Sequence, residues 1–157
     1  MMSAHPFDIR AVILAKHAQH VVLVHFPIAL FISGVALDFA AHWTKRRRLG
    51  EAAYINLLLA AAMTVPTVAS GLAAWQWALE GQKLKGVLLL HLVFGLISAS
   101  LICAVWWIHY RARARAHGES MADDAFLPGY RLIVEAAAVA VVAMTGHLGG
   151  FLSGVNT

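Results

Sequence analysis

Charge is what this sequence has least of, and cysteine comes next. Only 13% of its 157 residues are Asp, Glu, Lys or Arg, against about a quarter in an average soluble domain. A deficit of that size excludes the solvated surface of an ordinary soluble protein. The single cysteine, Cys103, excludes a disulfide framework; it lies inside an apolar run, where packing is its expected role. No CxxCH run is present, which excludes covalent c-type haem attachment within the chain. Apolar and polar residues do not alternate with period two, which argues against a membrane β-barrel. The formal net charge of +4 does not indicate nucleic acid, because the basic residues fall in short runs between apolar blocks. The N-terminus has neither a basic region ahead of an apolar core nor a small-residue cleavage site, so it does not read as a signal peptide.

What is present is hydrophobic sequence in four blocks. Residues are 61% hydrophobic, with mean hydropathy +0.72. The blocks run from about His20 to Trp43, Ala52 to Leu79, Gly86 to Ile108 and Arg131 to Leu152, and the middle two contain no Asp, Glu, Lys or Arg. A helix needs about 20 predominantly apolar residues to cross a bilayer core, and all four blocks supply them. Short connections predict an all-α integral membrane protein, an antiparallel up-down-up-down bundle over residues 18–155. Residues 1–17 form an N-terminal interfacial segment in this reading. Pro66 is expected to kink the second helix, with Thr64 and Thr67 bonding the freed backbone groups.

Lys45, Arg46, Arg47, Arg48, Arg111, Arg113, Arg115 and Arg131 cluster at one end of the bundle. Arg10, Lys16, Lys83 and Lys85 are all that the other end carries. The bias places both basic loops in the cytoplasm and both termini outside, as in a bacterial inner-membrane protein. Gly146, Gly150 and Gly154 repeat every four residues, a face that lets a helix or a flat ligand come close.

The histidines carry the functional signal. In "HAQHVVLVHFPIAL", residues 17–30, His20 and His25 lie in the outer third of the first helix; His91 and His147 lie just inside the outer ends of the third and fourth. At 1.5 Å per residue these four share a depth to within about 10 Å. Ionisable residues in a span face the bundle interior and are functional by default, and imidazole pairs on facing helices suit a haem iron. Helices 1 and 3 are diagonal in such a bundle, so His25 and His91 are the first choice of axial ligands. His20 lies about 140° round the helix from His25 and cannot share its iron, which leaves it to a propionate, a supporting bond or another ligand. His147 can replace either axial ligand or complete a three-histidine metal site.

At the inner end, His42 and His109 end their helices among Trp and Tyr residues. They offer either a second haem or ordinary interface anchors. Asp38 and Glu135, each about one turn inside, either pair with Arg131 or backbone groups, or form a proton entry or quinone-side proton site near the cytoplasmic face.

These residues also resemble a known family. "HVVLVHFPIALFISGVALD" resembles the opening of the DUF2231 membrane proteins, with His20, His25, Pro27 and Asp38 matching and Val21 in place of the usual proline. "LLLHLVFGL" around His91 and "TGHLGGFLSGVN", with His147, Gly149 and Gly150, are similar to the family's third and fourth helices. The resemblance implies a small bacterial four-helix membrane fold and supplies no activity.

The expected function therefore stands on the histidines. It is a b-type haem subunit passing electrons between a quinone pool and a periplasmic redox partner, rather than an independent enzyme. Two alternatives remain: the outer histidines hold Cu, Zn or Fe without porphyrin, or the chain anchors a larger respiratory or photosynthetic complex.

Overall fold

A computed structural model of the chain describes residues 16–81, 83–116 and 129–153. Four long helices account for most of them: α1 (Lys16–Thr44), α2 (Arg47–Ala73), α3 (Gly86–Ala116) and α4 (Tyr130–Leu152). A π-helical turn, Ala74–Ala78, follows α2 without a break. There is no strand among the described residues, and all four helices are long and apolar enough to cross a membrane. The bundle is antiparallel. At one end His20 near the start of α1 meets Ser70 near the end of α2, and His91 of α3 meets Thr145 of α4. At the other, Asp38 of α1 and His109 of α3 meet Arg131 and Glu135 of α4. α1 packs chiefly on α2 and α3 on α4, while α1 and α4 close the ring more sparsely.

Helix ends differ from the sequence expectation that the basic runs lie in loops. α3 continues past Ile108 to Ala116 and carries Arg111, Arg113 and Arg115 within its last turns. Cations there complement the unpaired carbonyls of a helix C-terminus. Arg111 also lies over Trp107 at 5.2 Å, and Arg113 over Tyr54 of α2 at 4.5 Å. Only Lys45 and Arg46 separate α1 from α2, and Lys45 closes α1 in the left-handed conformation, φ 57°. The N-terminal segment as far as residue 15, and residues 117–128 of the expected irregular loop, lie outside the described residues.

The threonine hydroxyls near the prolines bond differently from expectation, and the reason is local. α2 runs through Pro66 as one helix. Pro27, inside α1, has no N–H to give to the carbonyl of Leu23, one turn earlier. Thr67 of α2 supplies the donor instead, its hydroxyl bonding Leu23 O at 3.4 Å. Thr67 thus serves a carbonyl freed by Pro27 on the neighbouring helix, and Thr64 bonds Ala61 O at 2.7 Å within its own helix.

The interior is thin and built from small residues. Phe31 and Val35 of α1, Leu57 and Ala60 of α2, Val105 of α3 and Val142 of α4 meet in one cluster. Outside it, Val65 and Ile133 are 71% and 73% exposed. In water such apolar surface would be a liability; facing hydrocarbon it carries no penalty. Cys103, expected to pack inside, is exposed on α3, with Sγ 3.7 Å from Thr64 Oγ1.

Gly34 lets α1 lie close against α2. A Cβ there would lie 3.1 Å from Leu57 and 3.2 Å from the Asn56 Cβ, so α1 and α2 meet backbone to side chain at this level. Gly34→Ala is expected to cost about 1–3 kcal/mol through overpacking, and Gly34→Leu to abolish the bundle. Thermal unfolding in detergent, followed by circular dichroism, checks both; an unchanged midpoint in Gly34→Leu would contradict the packing.

Candidate functional site

Two clusters of polar side chains stand out, one towards each end of the bundle. At the outer end His20 and His91 face each other from diagonal helices, ring centroids 6.4 Å apart and planes at 78°. His91 Nδ1 lies 3.2 Å from the carbonyl of Thr145. A carbonyl can only accept, so Nδ1 carries the hydrogen and Nε2 the lone pair. His20 reaches the same tautomer by a longer route. Its Nδ1 is 3.0 Å from Ser70 Oγ, whose own hydrogen is given to Thr67 O at 2.8 Å. Ser70 therefore accepts from His20, which again leaves the lone pair on Nε2. An imidazole whose second nitrogen donates to a fixed acceptor is the usual state of a metal-binding histidine.

Each ring also has a glycine seat. A Cβ at Gly71 would stand 2.9 Å from His20 Cε1, and one at Gly149 3.2 Å from His91 Cε1. The close approach on α4 is therefore at Gly149. The four-residue spacing points to Gly146, Gly150 and Gly154; a Cβ at Gly146 would make an ordinary 3.9 Å contact with Ile28, and Gly154 lies outside the described residues.

The structure does not bring His25 to this pair. Its ring is exposed, with Nδ1 2.6 Å from Val21 O, and it lines a surface hollow of about 350 Å³ with Phe26, Ala29 and Leu30. His20 and His25 point to different sides of α1, as their spacing predicts; which of the two faces inward depends on how α1 is rotated against α2. His147 is likewise exposed and packs edge-on against Phe151, centroids 5.0 Å apart.

The inner end holds a denser polar cluster. Asp38, His109, Arg131 and Glu135 are 4%, 4%, 5% and 0% exposed. Arg131 Nη2 donates to Asp38 Oδ2, Arg131 Nε lies 3.4 Å from Glu135 Oε1, and His109 Nε2 lies 2.8 Å from the same oxygen. Asp38, His109 and Glu135 each bring a ligand-type atom within 4.8 Å of the others. The pairing of both acids with Arg131, one of the two sequence readings, is what the structure shows. His109 engages Glu135 across α3 and α4, and His42 is half-buried in the last turn of α1.

Sequence reasoning missed Ser70, Gly71 and Thr145 at the outer end, because hydroxyl and glycine supports carry no signal beyond ordinary helix packing. It also missed the His109–Glu135 pair, although the test of equal depth that singled out the outer histidines would have found it.

Removing one partner of a buried ion pair strands the other, at about 3–5 kcal/mol. Arg131→Leu is therefore expected to destabilise strongly, and Asp38→Leu combined with Arg131→Leu to recover much of the loss. Thermal midpoints of the three proteins check this, and a double variant as unstable as the single one would contradict it.

No curated protein and no solved structure matches the chain. A family model, described as a predicted membrane protein, matches residues 16–155 and so takes in all four helices and both polar clusters. The chain belongs to the DUF2231 family and is a multi-pass membrane protein.

Proposed function

We propose that the chain is a membrane electron-transfer subunit in which His20 and His91 would hold a b-type haem. The observation that carries this reading is the facing pair itself. Two imidazoles that held one metal between them would stand with their centroids roughly 6 Å apart, and these rings stand at 6.4 Å. Both rings carry their lone pair on Nε2, and both are held by partners on a neighbouring helix. The haem would supply one-electron exchange; the chain fixes ligand orientation through Ser70 and Thr145 and keeps water out with apolar helices.

In this reading the ligand pair is His20 with His91. His25 and His147, exposed at a similar depth, do not ligate the iron. The positive-inside bias places the basic loops in the cytoplasm, so the haem lies near the periplasmic surface of a bacterial inner membrane. Electrons would pass between a quinone pool and a periplasmic redox protein docking near the 2–3 loop, where Lys83 and Lys85 are exposed. Charges so exposed are screened over about 8 Å at physiological salt, and steer encounter more than they hold a complex.

The absorption spectrum of protein purified from haem-supplied cells tests the reading. A reduced-minus-oxidised low-spin b-type spectrum is expected. It should be lost or converted to high spin in His20→Ala and in His91→Ala, and remain in His25→Ala. A colourless protein with stoichiometric copper, zinc or iron would assign the pair to a non-porphyrin metal. A colourless, metal-free protein would leave an anchoring role in a larger complex.

The orientation has its own check. A C-terminal tag is expected to be accessible to antibody on intact spheroplasts; protection until lysis would place the histidine pair on the cytoplasmic side.

A further inference from the structure

The inner cluster is independent of whatever the outer histidines hold. His91 and His109 on the same helix are about 27 Å apart along its axis. The cluster's charges do not close without one additional proton. Asp38 and Glu135 contribute two negative charges when ionised and Arg131 one positive charge, all on buried side chains. A net charge left there is costly, whereas a neutral set of hydrogen-bonded partners is not.

The geometry also says where the proton fits. Glu135 Oε1 is occupied by His109 Nε2 at 2.8 Å, with Arg131 Nε at 3.4 Å. Glu135 Oε2, on a fully buried side chain, has no hydrogen-bond partner among the described residues, and neither has Arg131 Nε. Oε2 can thus take a proton without displacing an existing bond. A carboxyl oxygen of Asp38 lies within the same 4.8 Å group. Two carboxyl groups at this separation, with one guanidinium between them, are held together by a shared proton more readily than as two anions. The charged and titratable groups acting on the set are Asp38 from α1, His109 and the exposed Arg113 from α3, and Arg131 and Glu135 from α4. Arg131 sits in the first turn of α4, so the cluster lies close under the basic end of the bundle.

We infer that Asp38, His109, Arg131 and Glu135 form a buried binding site for one exchangeable proton. The proton is carried by the Glu135–Asp38 carboxyl pair and drawn from the side of the membrane that bears the arginine-rich helix ends. Taking it up forms one O–H bond, at Glu135 Oε2, and brings the cluster from net negative to neutral; releasing it reverses both changes.

Infrared spectroscopy of the full-length protein in lipid tests this at neutral pH, where exposed Asp and Glu are ionised. A protonated carboxylic acid C=O band is expected in the unmodified protein, shifting on exchange into D2O. It should disappear in Glu135→Gln, which keeps an acceptor for His109. If that variant does not fold, Asp38→Asn is read instead, with the same loss or a clear shift expected. Absence of any such band from the unmodified protein would overturn the proposal, since both carboxyls would then be ionised and His109 would hold the proton as imidazolium. A band surviving unchanged in both variants would overturn it equally.

Discussion

The Arg131 guanidinium is the contact on which the closed form of the bundle depends. α1 and α4 are neighbours in the ring but share the sparsest packing of the adjacent pairs. Arg131 joins them through Asp38, and through Glu135 and His109 it ties α3 into the same knot. In a lipid-facing bundle the hydrophobic effect does little to hold helices together, because the hydrocarbon outside is as apolar as the interior. Ionic and hydrogen-bonded contacts then set which helices meet and in what rotation. A charge that is costly to bury unpaired becomes a strong constraint once only one arrangement pairs it.

The same principle orders the outer end at lower cost. Neutral imidazoles replace ions, and their partners are a serine hydroxyl and a backbone carbonyl. The hydrogen bonds do more than satisfy the rings, since they fix one tautomer on each and aim the lone-pair nitrogens. Glycines at 71 and 149 let the rings lie against neighbouring backbones, which no other residue would permit without displacing them. Between the two ends, Thr67 repairs the carbonyl that Pro27 leaves unpaired, so the α1–α2 interface is specified by a backbone defect as well as by packing. Polar supply and demand across helices, rather than core volume, thus accounts for most of the specific contacts.

The two ends are chemically distinct. One presents two imidazoles in an edge-to-face pair, their ring centroids 6.4 Å apart. The other presents two buried acids against a single guanidinium, suited to a proton. Their separation along α3 means that each can be altered without removing the other, and variants at one end can serve as controls for the other.

Sequence alone determined the class of fold, the number of spans and the family, because each rests on one-dimensional signals. Apolar block length is set by bilayer thickness, and the pattern around His20, His25 and Pro27 is local. It also placed the ionisable residues by depth, since rise per residue is fixed in a helix. Rotation was not legible. His20 and His25 are about 140° apart whichever way α1 turns, and only packing of α1 against α2, through Gly34 and Thr67, decides that His20 faces inward. The pairing of His109 with Glu135 depends likewise on how α3 and α4 are rotated against each other. Tertiary structure decided these points because a hydrogen bond tolerates errors of tenths of an ångström, and no helical periodicity carries that precision between separate helices.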